Sequence, residues 1–251
     1  LARAHRPPLP APHPTLHGYN AHMVYTLNLE HLDGRWYAHV AELPGAFSDG
    51  TTVDEATRFA SQSIANHLVW SEADVDHGPR PLAVVAEIIK SWNYAPDFEV
   101  NAFFATDRPP LTEDELDGLR KLLYLARAEL LDSFLGLSID QLSIVPEGEA
   151  WSVHDALRHV ATAENWYLDR LGLAHEPAWE MKDTLGRVLL VRQHLLDVLP
   201  GLVGDERIAE WNGELWSPRK VVRRALWHEL LHARDIKRIR GRILAARSAG
   251  V

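Results

Sequence analysis

Residues 227–232 read Trp227-His228-Glu229-Leu230-Leu231-His232, inside a run from Ser217 to Ile243 that predicts one long helix. Ser217 suits an N-cap and Pro218 the first helical position. Val221, Ala225, Leu226, Leu230 and Ile236 recur at helical spacing. His228 and His232 then lie one turn apart on one face, where both imidazoles can reach a single ion. The letters also spell the H-E-x-x-H of zinc proteases. Such an enzyme takes a third ligand from beyond the second His, and after His232 this chain has neither His nor Glu. Asp235 shares the face, but i, i+4 and i+7 ligands span about 10 Å along the axis, too far for one ion. The third ligand must come from another helix. Glu229, turned about 100° from the ligand face, is expected in a salt bridge or behind the site rather than as a catalytic base.

Working backwards, the segment ahead of this helix is helical throughout. Asp107-Arg108-Pro109-Pro110 marks a boundary, since consecutive prolines block helix and sheet alike. Thr112-Glu113-Asp114-Glu115 is a capping box opening a helix with Leu116, Leu119, Leu123, Ala126, Leu130 and Phe134 on its core face. Ser152 opens a second helix that runs through His159 to about Leu171. A third is expected from about Trp179 to Leu199, ended by Pro200-Gly201. Residues 109–246 therefore predict an all-α four-helix bundle, in which metals are held by side chains of facing helices. His159, flanked by Ala156, Val160 and Ala163, is the best third ligand. Asp155 either caps its helix or orients the His159 ring. Arg223 and Arg224, a turn before His228, are candidates to receive an anionic substrate. His154, His175 and His194 are expected to be ordinary helix or loop residues. Trp151, Trp166, Trp211 and Trp227 are expected in the core, with one or two at a cavity mouth. The basic residues from Arg234 to Arg242 complement a helix C-terminus.

The first part of the chain has another character. Residues 1–20 hold five prolines, three histidines, two arginines and no acid, the composition of a disordered leader. Met23–Glu30 and Arg35–Ala41 alternate apolar and polar around Asp33-Gly34, a strong hairpin signal. Residues 42–52 read as a long turn, followed by an amphipathic helix carrying Ala56, Phe59, Ala60, Ile64 and Leu68. Pro81–Ile89, nearly all apolar, predicts a buried strand, and Glu99–Ala105 a further one. Residues 21–106 thus predict a small β-β-α-β domain of the α+β class.

Two resemblances follow from these motifs. "LPGAFSDGTTVDEA", after a hairpin and before a helix, resembles the HicB-like antitoxin family, which implies a trimmed ribonuclease H-like fold and a small protein partner. "WSVHDALRH", ending on His159, with "LWHELLH", carrying His228 and His232, resembles the DinB-like superfamily of four-helix metal proteins. That resemblance implies one divalent metal on His159, His228 and His232. It also implies an activity among small-molecule enzymes that include thiol-dependent transferases, so a low-molecular-weight thiol is an expected co-substrate. Self-association is common in both families, which makes a homodimer the expected state.

Composition bounds the rest. No cysteine among 251 residues removes disulfides and thiolate ligands and fits a cytoplasmic protein. A net charge of -9 argues against nucleic-acid binding, and no apolar run is long enough for a membrane span. The chain opens on Leu1 rather than Met, as one with residues upstream would. Three imidazoles suit several first-row metals; zinc or nickel is expected. The expected function is metal-dependent transfer to, or hydrolysis of, a small molecule. The alternative is a regulatory protein with a structural metal.

Overall fold

The computed structural model describes residues 24–72, 81–96 and 98–248, with side chains through residue 246. The leader expected over residues 1–20 lies outside them. β1 (Val24–Leu32), β2 (Arg35–Val40) and β3 (Phe47–Gly50) are followed by α1 (Val53–Trp70), β4 (Leu82–Lys90), β5 (Asn93–Ala95) and β6 (Phe98–Glu99). Helices α2 (Glu113–Asp132), α3 (Ile139–Leu142), α4 (Val153–Asp169) and α5 (Thr184–Val198) come next. A small hairpin of β7 (Ala209–Trp211) and β8 (Glu214–Trp216) leads to α6 (Pro218–Ser248).

β1 to β4 form a mixed sheet of order β3-β2-β1-β4, antiparallel except for the β1–β4 pair. Asp33 and Gly34 make the predicted turn, with φ of 49° and 72°, the left-handed pair that a two-residue hairpin matching strand twist requires. Three expectations need correction. Residues 42–52 are not one turn: Phe47–Gly50 pairs with β2, a strand hidden by the poor strand propensity of Ser48-Asp49-Gly50. Gly50 is needed there, since a Cβ would lie 2.4 Å from the Cβ of Glu55 in α1. The apolar run at Leu82–Lys90 is a strand but not a buried one; it is the sheet edge, with Leu82, Val84, Val85 and Ile88 exposed. The strand expected over Glu99–Ala105 shrinks to Phe98–Glu99, followed by irregular backbone and a 3₁₀ turn at Ala105–Asp107.

α1 covers one face of the sheet, packing Ala56, Ala60, Ile64 and Leu68 on Tyr25, Leu27, Leu29, Ala38 and Val40. The opposite face, with Asn28, Glu30, Leu32, Tyr37 and His39, is buried as well. Alternation alone would leave its polar groups in water, but α6 lies against it. Trp227 of α6 sits with ring centroids 5.1 Å from Tyr37, 5.5 Å from His39 and 6.3 Å from Phe47.

α2, α4, α5 and α6 build the four-helix bundle, with the third long helix starting at Thr184, later than expected; Glu176–Ala178 is a separate 3₁₀ turn. Each long helix contributes to two apolar clusters along its length. Leu123, Leu168, Leu195 and Leu226 belong to one apolar cluster, Leu130, Leu157, Val188 and Ile236 to another. Between the two, each helix contributes one buried charge. Arg127 (α2) meets Glu164 (α4) at 2.8 Å and Glu229 (α6) at 2.6 Å, and Arg192 (α5) meets the same two carboxylates at 2.7 and 2.5 Å. Arg192 Nη1 also donates to Leu123 O at 2.6 Å. Burial pushes Glu164 up, and the two guanidinium groups overcome it and hold the carboxyl below its usual range. Among the described residues no helix is long and apolar enough to cross a membrane.

Candidate metal centre

Ser152 caps α4 and exchanges hydrogen bonds with Asp155, whose carboxylate accepts from Ser152 Oγ at 2.7 Å and backbone N at 3.3 Å. Asp155 is therefore spent on the cap, with Arg158 donating to its other oxygen at 3.3 Å. The cap fixes where α4 begins, and His159 follows two turns into it. α6 presents His228 and His232 to the same point. His159 Nε2 lies 3.0 Å from His228 Nε2, which lies 3.1 Å from His232 Nε2. One ligand atom from each residue falls within 4.8 Å of the others.

The contacts around His228 Nε2 are informative. A ring nitrogen carries one proton or one lone pair in the ring plane, so it can complete one in-plane hydrogen bond. Here it faces two imidazole nitrogens at once. Hydrogen bonding cannot satisfy all three rings, whereas a cation on which their lone pairs converge can. Imidazole nitrogens about 2.0–2.1 Å from a tetrahedral zinc would be about 3.3 Å apart, close to what is observed. Burial and the nearby His232 bring His159 down to about 4. Burial, with His232, His159 and Arg224 around it, carries His228 well below its ordinary value. Both are neutral near pH 7, the form that binds metal. His232 Nδ1 approaches Asp235 Oδ2 at 3.5 Å, and Asp235 is held by Arg238 at 3.2 Å. Asp235, too far along the helix to be a ligand, is placed to orient one. Trp151, just ahead of the α4 cap, lies 4.7 Å from the His159 ring and stacks on His232 at 5.8 Å with the planes 23° apart.

The other candidates fall elsewhere. Arg223 binds Asp107 through two hydrogen bonds of 2.8 Å and donates to Ala102 O at 3.0 Å. Arg224 is buried over the Trp227 ring and ion-pairs with Glu30 at 2.6 Å. Arg224 joins the sheet to the bundle, and Arg223 fastens the linking segment around Ala102–Asp107 to it. Glu229 belongs to the four-charge layer. His154 accepts or donates to Thr184 Oγ1 at 2.8 Å, His194 meets Leu173 O at 2.8 Å, and His175 packs against His194. Trp166 and Trp227 line the cleft, but Trp211 is exposed and stacks under Arg170.

The histidines open into a cleft of about 980 Å³ whose walls come from both halves of the chain. The bundle supplies Trp151, Trp166, Tyr167, Trp227 and Leu231, and the sheet unit supplies Leu32, Asp33, Arg35, Tyr37 and Asp49, with Glu99 and Asn101 beside them. No sequence signal marked the sheet residues, because each is 100 or more positions from the histidines they overlook.

Residues 122–236 match the DinB superfamily. The matched segment spans all three histidines, so the DinB-like part of the chain is the part that carries the centre. A solved structure of YfiT from Bacillus subtilis, described as a probable metal-dependent hydrolase with an unusual four-helix bundle topology, is 19% identical. That similarity covers 53% of this chain and 92% of the other, with a TM-score of 0.40. A search of the curated proteins finds no match.

Proposed function

We propose that the protein holds one divalent metal through His159, His228 and His232 and is an enzyme acting on a small molecule by hydrolysis or thiol transfer. The observation that carries this is the Nε2 of His228 facing two other imidazole nitrogens at 3.0 and 3.1 Å. Three protein ligands beside an open cleft are the pattern of catalytic rather than structural sites, which close their shell with four. A divalent ion bound there would acidify a bound water or thiol towards neutrality and supply the nucleophile.

The surrounding residues serve that chemistry in stated ways. Asp235 stands 3.5 Å from His232 Nδ1, from where its carboxylate can steady the ring with Nε2 as the ligand atom. Trp151 covers two of the three rings and limits the access of water to them. Neutral His159 and His228 bring no charge of their own, so a divalent cation would keep its full charge for an anionic nucleophile. The HicB-like motif, in this reading, marks a sheet unit that has become one side of an enzyme cleft.

The test is metal content per chain on untagged protein after equilibration with zinc or nickel, for wild type and His159→Ala. About one ion per wild-type chain, absent from the mutant, supports the centre. A wild-type chain that takes up neither metal overturns it. Loaded protein is then offered a thiol with an electrophile, and separately a hydrolysable ester or amide, to separate transfer from hydrolysis.

A further inference from the structure

Outside the cleft, two small hairpins and α4 leave a strip of aromatic rings open to solvent. Trp92, Tyr94 and Phe98 come from the β5–β6 hairpin and the residue before it, Trp211 from β7, and Trp166 with Arg170 from the end of α4. The rings meet edge-on, at 6.4 Å from Trp92 to Tyr94, 6.0 Å from Tyr94 to Phe98 and 6.2 Å from Phe98 to Trp166. Arg170 lies 4.4 Å from the Trp166 ring and 4.6 Å from that of Trp211. Trp92 packs on the turn between β7 and β8, where a Cβ at Gly213 would stand 3.1 Å from its ring. The strip is thus held from both hairpins, yet Trp92, Tyr94 and Trp211 are 50%, 53% and 44% exposed. Trp211 donates to Arg170 O at 2.9 Å. Trp92 Nε1 and Tyr94 Oη make no hydrogen bond among the described residues.

Exposed rings with spare donors suit one kind of chain. A polyproline II segment has no internal hydrogen bonds, so its carbonyls need donors, and its pyrrolidine rings pack on aromatic surfaces. This protein carries such a segment outside the described residues: Pro7-Pro8-Leu9-Pro10-Ala11-Pro12-His13-Pro14. At three residues per turn, Pro7 and Pro10 share one ridge, Pro8 and Pro14 a second, and Leu9 and Pro12 the third. Every side therefore presents an apolar pair. Its reach is sufficient. β4 runs parallel to β1, and Ser91 N donates to His31 O at 3.2 Å, so Trp92 lies at the opposite end of β1 from Val24. That strand of nine residues is about 30 Å long. The chain from Pro14 to Val24 spans up to about 35 Å when extended. We propose that residues 7–14 dock as a polyproline II helix on the Trp92–Tyr94–Trp211 strip of their own chain. The tether holds them at an effective concentration on the order of millimolar, so modest contacts suffice. This docking is independent of the metal centre proposed above.

Hydroxyl-radical footprinting of the full chain tests it. Wild type is compared with a chain carrying Pro7→Ser, Pro8→Ser, Pro10→Ser, Pro12→Ser and Pro14→Ser, substitutions that touch none of the described residues. Oxidation of Trp92, Tyr94 and Trp211 is read by mass spectrometry. Tyr124, 58% exposed on α2, is the internal reference and should oxidise equally in both chains. The three strip residues should oxidise at least about threefold more slowly in wild type, at every protein concentration. Equal rates in the two chains overturn the proposal, whether the strip is bare in both or covered in both by something other than the leader. Protection in wild type that disappears on dilution also overturns it, since the occupant is then the leader of a second copy.

Discussion

Glu30 of β1 and Arg224 of α6 lie 194 residues apart and meet at 2.6 Å, both buried. Glu30 also contacts His39 Nε2 at 3.1 Å and accepts from Ala102 N at 3.0 Å. Burial pushes this carboxyl up, yet Arg224 and His39 prevail and hold it far below the usual carboxylate range. The pair fastens the sheet to the same helix that carries two of the three converging histidines.

Removing one member of such a pair leaves the other charged, buried and alone. Glu30→Leu is expected to cost about 3–5 kcal/mol, whereas Glu30→Leu combined with Arg224→Leu should recover most of it. Urea unfolding followed by tryptophan fluorescence and by far-ultraviolet circular dichroism checks this, and the two probes should report one shared transition. A single variant as stable as wild type would remove the pair from any account of how the halves are joined.

Glu229→Gln separates a protease-like base from a buried structural charge. Loss of about 3 kcal/mol in unfolding experiments, with metal still bound at one per chain, is the expected result. Wild-type stability together with abolished metal uptake would mean that Glu229 serves the centre after all.

Asp235→Asn should lower metal affinity by about 10–100-fold without unfolding the chain, because it loosens the ring of His232 rather than removing a ligand. Competition against a chelator of known affinity measures this. An unchanged affinity would show that the 3.5 Å contact orients nothing.

His67 in α1 gives a pH dependence that does not involve the three converging histidines. Burial alone lowers it from 6.5 to about 4. Between those values the unfolded chain binds the proton and the folded chain does not. Its contribution is therefore complete above pH 6.5 and is lost as pH falls to about 4, by up to about 3 kcal/mol. Wild type and His67→Leu should differ in the slope of stability against pH inside that window and run parallel above it. Parallel curves throughout would contradict the assignment.

The bundle and the His228/His232 pair are legible because their signals are local. Capping boxes at Thr112 and Ser152, the 3.6-residue spacing along α6 and the His228/His232 pair all lie within a few turns of chain. What stayed hidden depends on distance. Nothing near Arg223 or Arg224 says that Asp107 and Glu30 will claim them, so they looked free for a substrate. The apolar letters of β4 report composition, not whether a strand lies at the centre or the edge of its sheet. β3 is too short and polar to show by propensity, and exists because β2 offers it a partner.

The charge layer of Arg127, Glu164, Arg192 and Glu229 sums to zero with one member from each long helix. An apolar layer of the same size would be as stable or more so, but each single step towards it strands a charge in the core at a cost of about 3–5 kcal/mol. Single substitutions at the four positions are thereby costly, and compensated exchanges in pairs are the cheaper route to an apolar layer. The second letter of H-E-x-x-H thus has a structural reason to be Glu, one that lies in the bundle core and does not call on catalysis.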